Sequence, residues 1–187
     1  MMILLNNVSW MGWNVFLALI PPIFGWLLLI MRQKVLKGAF ALIWFFFLPN
    51  TLYLITDLPH IFWQWYRMHH VGQIALALQY LTLVLIGLVT FLLALYPVEK
   101  ALLRASWLKK KSLVPLFIIV TNFFIGLGIV LGRVQRINSW DIVVDIPKVI
   151  VASVSIFTSL ELFLFVVFFG VFVNVYYFVC RKSFQVS

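Results

Sequence analysis

The chain has 187 residues, 65% of them hydrophobic and 10% charged, with a formal net charge of +9. Soluble domains are nearer half apolar and a quarter charged, so this composition excludes an ordinary soluble globular protein. Several apolar runs reach the roughly 20 residues that cross a hydrocarbon core of about 30 Å. They are continuous rather than alternating in ten-residue segments, which excludes a transmembrane β-barrel.

The expected fold class is all-α: a polytopic helical membrane bundle of about five transmembrane helices plus short interfacial helices. It forms a single transmembrane domain over residues 1–187. The spans are predicted at about 8–31, 36–57, 71–96, 113–132 and 148–180. The first lacks a basic n-region and is interrupted by Pro21 and Pro22, so it reads as a retained span, not a signal peptide. A kink is expected there, because neither proline donates a helix hydrogen bond. The last is long enough to tilt strongly or to extend beyond the bilayer. No repeat, low-complexity linker or soluble domain interrupts the series.

The basic residues set an orientation. Arg32, Lys34, Lys37, Lys100, Arg104, Lys109, Lys110, Lys111, Arg181 and Lys182 fall on one side of a five-span chain. Arg67, Arg133, Arg136 and Lys148 fall on the other. The positive-inside rule then puts the N-terminus outside and the C-terminus in the cytoplasm. The segment 97–111 alternates apolar and basic residues and reads as an amphipathic helix on the cytoplasmic leaflet, in contact with anionic lipids. The same chemistry accounts for the net charge without nucleic acid.

Two segments then share the outer face. In the first, Asn50, Tyr53 and Asp57 lie at i, i+3 and i+7, on one face of a helix. That helix is expected to end near Asp57, with Thr56 or Asp57 capping a new aromatic helix that carries Pro59 in its first turn. In the second, Gly132 closes span four, and Asn138 or Ser139 caps a short helix with Asp141 in its favoured first turn. Arg133 and Arg136, three apart, make a fork suited to phosphate or carboxylate. Asp57, His60 and Asp141 are candidates for proton transfer near neutral pH. Against the ligand site stands a clamp, in which the arginines pair with Asp57 and Asp141 and tie spans two and four together. A metal held by Asp57 and His60 is disfavoured by the arginines beside it, and no metal is expected.

Glu161 is the one charged residue read as deep within a span, expected to face the bundle interior with Asn14, Gln79, Asn122 and Asn174 as available partners. Gly126, Gly128 and Gly132 permit close helix approach in span four. No Walker loop, dinucleotide fingerprint, His-Glu-x-x-His or Gly-x-Ser-x-Gly string is present, and no cofactor is expected.

The strings Phe-Leu-Pro-Asn-Thr-Leu-Tyr-Leu-Ile-Thr-Asp-Leu (47–58) and Gly-Arg-Val-Gln-Arg-Ile-Asn-Ser-Trp-Asp (132–141) resemble the hallmark segments of a bacterial integral membrane family, domain-of-unknown-function family 1361. The resemblance covers most of the chain and implies class and location, with no chemistry attached. By it, Asn50, Tyr53, Asp57, Arg133, Arg136, Asn138, Ser139, Trp140 and Asp141 are the positions to follow. The leading expectation is a protein whose extracytoplasmic polar site binds or processes an anionic lipid-linked envelope precursor. The alternatives are a non-catalytic accessory or scaffold subunit with a membrane protein partner, or a small transporter using Glu161.

Overall fold

The computed structural model describes residues 2–106, 108 and 110–184, so Trp107 and Lys109 of the expected cytoplasmic helix lie outside the described residues. Helices α1 (Met2–Ile30), α2 (Lys34–Phe47), α3 (Pro49–Tyr53), α4 (His60–Trp65), α5 (His70–Arg104), α6 (Val114–Arg133), α7 (Asp141–Val144), α8 (Ile146–Thr158) and α9 (Leu160–Phe184) follow in order. Leu54–Asp57 and Lys111–Leu113 are short 3-10 segments. No strand occurs among the described residues. Five segments are long and apolar enough to cross a membrane: Met2–Ile30, Lys34–Asp57, His70–Arg104, Lys111–Arg133 and Leu160–Lys182. The protein is a multi-pass, all-α membrane protein.

α1 runs continuously through Pro21 and Pro22, and both prolines are buried. Three boundaries differ from the sequence expectation. α5 continues through Pro97 to Arg104, so part of the expected surface helix is instead the end of span three. The expected fifth span is two helices, because Ser159 adopts extended backbone (φ −100°, ψ 115°) between α8 and α9. α8 has 13 residues and rises only about 20 Å, too short to cross. Finally, α9 carries Arg181 and Lys182 in its last turn, so they are not a loose tail.

The chain divides between Leu95 and Tyr96 into two compact units. In the first, α1 lies against α2 and α3. Met11, Ala18, Leu54, Leu76, Tyr80 and Leu83 form a buried cluster. Trp44 donates its indole N–H to the Ala94 carbonyl at 3.0 Å. A Cβ at Gly87 would sit 2.7 Å from the Thr51 carbonyl, so this glycine allows α5 to touch the α3 backbone.

In the second unit α6 and α9 are the central pair, with α8 against both. Val130, Ile156 and Val166 are buried together. The expected close approach in span four is realised at Gly126, where a Cβ would lie 2.7 Å from the Val166 carbonyl. Asn122 donates to Asn174 at 3.0 Å, and Asn174 donates back to the Gly170 carbonyl of its own helix at 2.8 Å.

Candidate functional site

In the first unit, a polar seam runs along one face of α1. Asn7, Trp10 and Asn14 recur at helical spacing and meet groups from α4, α5 and the 3-10 segment. Asn7 and Gln64 form a reciprocal amide pair: Asn7 Nδ2 donates to Gln64 Oε1 at 2.7 Å, and Gln64 Nε2 donates to Asn7 Oδ1 at 3.0 Å. Asn7 also donates to Gln79 Oε1 at 3.1 Å and accepts from Trp10 Nε1 at 3.1 Å. Asn7 is 1% exposed, so each of these bonds offsets a desolvation that a bare amide would suffer in full. One turn further, Asn14 Nδ2 donates to the buried Asp57 carboxylate at 3.1 Å.

His60 is held close by. Its Nδ1 is 3.1 Å from the Asp57 carbonyl and 4.0 Å from Oδ1 of the same residue, and its ring lies 5.8 Å from Trp10. The capping expectation changes here. Thr56 donates to the Tyr53 carbonyl of its own turn, and α4 is preceded by Pro59, with no side-chain cap. Because Leu54–Asp57 is a 3-10 turn, Asp57 does not keep α-helical spacing from Asn50 and Tyr53. Asn50 uses its amide on the Phe47 carbonyl. Phe62, Trp63 and Tyr66 of the α4 region are 70%, 79% and 88% exposed, as suits a segment lying in a membrane interface.

In the second unit, the residues after α6 build a tight loop. Helix α6 ends at Arg133, not at Gly132, and the reversal falls on Arg136, whose φ is 54°. Left-handed backbone at a non-glycine residue is uncommon and costs roughly 1–2 kcal/mol. The Ile137 N–H closes the loop on the Leu131 carbonyl at 3.1 Å. Since the helix stops between them, Arg133 and Arg136 do not share a helical face, and the expected fork is not a helical one. Arg133 sits in the last turn of α6, where a cation is favoured by the helix dipole.

Asp141 organises the segment from Asn138 to Lys148. It accepts the Asn138 backbone N–H at 2.9 Å and the Lys148 ammonium at 3.0 Å through Oδ2. The capping roles expected for Asn138 and Ser139 are therefore reversed: the first helical residue reaches back to the loop, and α7 has no side-chain N-cap. The Asn138 N–H, followed by the Lys148 ammonium, holds the Asp141 carboxyl below its ordinary range. Asp145 caps α8 by accepting the Lys148 N–H at 3.2 Å. Trp140 is 42% exposed just before α7. Beside this loop lies an open cleft of about 430 Å³, lined by Gln135, Ile137, Pro147, Lys148, Val151, Ala152 and Ser155.

Glu161 is not deep in a span. It occupies the first turn of α9 and is exposed, a position that the helix dipole favours for a carboxylate. Asn122, its expected partner, is bonded to Asn174 instead. Besides Asp57, a second span carries a buried carboxylate, Glu99, 4% exposed, which pairs with Arg181 at 2.5 Å and accepts the Tyr177 hydroxyl at 2.5 Å. Its place between Val98 and Lys100 resembled the start of a basic surface helix, which hid it. Asn7, Gln64 and Lys148 were also missed as site members; the Asn7/Trp10/Asn14 spacing was the available signal for the first. Among the described residues, no three His, Cys, Asp or Glu side chains converge as a metal site would need.

A family model described as a protein of unknown function (DUF1361) matches residues 13–176. No curated protein and no solved structure matches the chain.

Proposed function

The chain belongs to the DUF1361 family, and from that premise we propose a multi-pass protein of a bacterial cytoplasmic membrane that binds an anionic amphiphile of the envelope at the outer leaflet. The asymmetry of Lys and Arg supports an outside N-terminus and a cytoplasmic C-terminus. In that orientation the loop from Arg133 to Lys148 meets the outer head groups. The observation that carries the reading is the makeup of this loop. Arg133, Arg136 and Lys148 outnumber Asp141 and Asp145, and the Lys148 side chain is 44% exposed. A lysine at that depth offers an anionic head group a partner beyond Asp141.

Binding is favoured over processing because Asp57, the first candidate for acid–base work, is only 2% exposed. A carboxylate so enclosed offers a substrate no face to approach. Thermal unfolding of the purified protein tests the reading. Phosphatidylglycerol should raise the midpoint more than phosphatidylcholine does, as expected for a ligand that binds only the folded state. That difference should shrink in Arg136→Ala/Lys148→Met. Equal stabilisation by the two lipids would sink the proposal.

A second reading has its own support. Asp57 is bonded to Asn14, and Asp141 to Asn138 and Lys148, each within one unit. Such contacts, though not the expected Arg–Asp pairs, support a structural role of the kind an accessory or scaffold subunit would need. Under that reading a membrane protein partner should co-purify without cross-linker, and the lipid preference should be absent.

A further inference from the structure

We infer that the cleft between the α6–α7 loop and α8 is the seat of a single-chain anionic amphiphile, its phosphate on Lys148 and its chain along α8. This rests on the preceding reading and names the place and the ligand class.

Four observations carry it. First, Lys148 keeps donors to spare. An ammonium has three, and Asp141 takes one at 3.0 Å. Second, Gln135 spends one amide hydrogen on Ser155 Oγ at 3.2 Å. It retains a second N–H and its carbonyl oxygen, which suit the hydroxyls of a glycerol-type head group. Ser155 donates its own proton to the Ala152 carbonyl at 2.7 Å, so its oxygen faces Gln135 as an acceptor. Third, the rest of the lining is apolar: Ile137, Pro147, Val151 and Ala152. Val151 is 69% exposed, and Ile150, Val154 and Phe157 continue an exposed apolar surface along the same helix. A chain can therefore enter from the bilayer without crossing a polar barrier. Fourth, a cleft of about 430 Å³ lies toward the small end of ligand pockets, giving room for one chain rather than two.

The strained turn adds a reason for the loop's shape. Arg136 adopts φ 54° between two lining residues, Gln135 and Ile137. The reversal places both neighbours on the cleft wall, and strain of this kind persists where the surroundings over-determine it.

Native mass spectrometry of the whole protein in detergent tests the inference with three probes: lysophosphatidylglycerol, lysophosphatidylcholine and glycerol 3-phosphate. One lysophosphatidylglycerol should bind at least about tenfold tighter than either other probe, a difference of roughly 1.4 kcal/mol. Val151→Trp, at an exposed position, should fold normally and weaken binding by a similar factor. Ser155→Phe should do the same one turn further along α8. Lys148→Met should bring lysophosphatidylglycerol down to the lysophosphatidylcholine level. A lysophosphatidylglycerol preference that survives both bulky variants would overturn the cleft assignment and leave the broader reading standing. No preference in the unaltered protein would remove both. Glycerol 3-phosphate binding as tightly as the lysolipid would show that the chain has no seat here, and would overturn the inference.

Discussion

The carboxylate of Asp57 is met inside the first unit by the amide of Asn14, 43 positions away in the sequence, at 3.1 Å. The residue is 2% exposed. Removing the donor leaves a buried acceptor with less compensation, which costs about 1–3 kcal/mol. Asn14→Leu should therefore lower the unfolding midpoint. Asp57→Asn combined with Asn14→Leu should destabilise by less than the sum of the two single changes. Strict additivity in that double-mutant cycle would remove the bond from the stability of the first unit.

Glu99 is buried and its partner Arg181 is half-buried. Glu99→Ala leaves that guanidinium without its counter-charge, and destabilisation of up to roughly 3 kcal/mol, the lower end for fully buried pairs, is expected. Glu99→Leu with Arg181→Met should recover most of that loss, because the pair's desolvation is removed along with its attraction. Tyr177→Phe should cost less, about 1 kcal/mol, since it deletes one hydrogen bond and keeps the ring in place. Chemical denaturation in mixed micelles measures all three. A double variant as unstable as Glu99→Ala would contradict the reasoning.

Asp141 gives a pH dependence with a defined sign. Its carboxyl is held below the ordinary value of 3.8 by the Asn138 N–H and the Lys148 ammonium. The folded state thus prefers the ionised form more than the unfolded chain does. The resulting stability is present in full above the unfolded value and is lost as pH falls through the lower, folded one. The gap in unfolding midpoint between the unaltered protein and Asp141→Asn should be constant near neutrality and close only below about pH 4. A gap that closes at pH 6 would show that another group titrates.

Gly126 and Gly12 form a matched pair of tests. A Cβ at Gly126 meets the Val166 carbonyl at 2.7 Å and the Gly170 nitrogen at 3.0 Å, both backbone atoms that cannot swing aside. Gly126→Ala should separate α6 from α9 and destabilise by roughly 1–3 kcal/mol. Nothing lies within 4 Å of a Cβ at Gly12, in the middle of α1. Gly12→Ala should be neutral or stabilising by up to about 1 kcal/mol, the ordinary helix-propensity difference. Equal effects at the two sites would rule out the close crossing.

Much of the architecture was readable in one dimension. Five apolar runs of sufficient length predicted five spans, and five are present among the described residues. Span length depends on local hydropathy alone, which explains why the number was accessible. Breaks and continuations were less so. Span three was expected to stop at about residue 96, yet α5 passes through Pro97 to Arg104; Ser159, with no proline or glycine beside it, ends α8. Both outcomes depend on packing against neighbours, which a window of sequence does not contain. The placement of Glu161 failed for a related reason: its depth was inferred from a helix that proves to be two.

The candidate residues divide in the same way. Asn50, Tyr53, Asp57 and the string from Arg133 to Asp141 stood out because polar groups are rare in such apolar surroundings. Sequence could thus nominate them without assigning partners. The Asn7–Gln64 pair joins residues 57 positions apart, and Glu99–Tyr177 joins residues 78 apart. Lys148 gained its role only when α7 turned it back onto Asp141.

By itself, then, the sequence determined that this is an all-α membrane protein of five spans, where its basic residues lie and which polar positions are unusual. Hydrophobicity and charge act residue by residue along the chain, so no fold is needed to read them. Only the tertiary structure decided which of those polar groups are bonded to one another, which carboxylates are buried, and that a cleft opens beside Lys148. Each of these depends on how far a helix is rotated and where it crosses its neighbour, and a shift of one residue in either would exchange the partners.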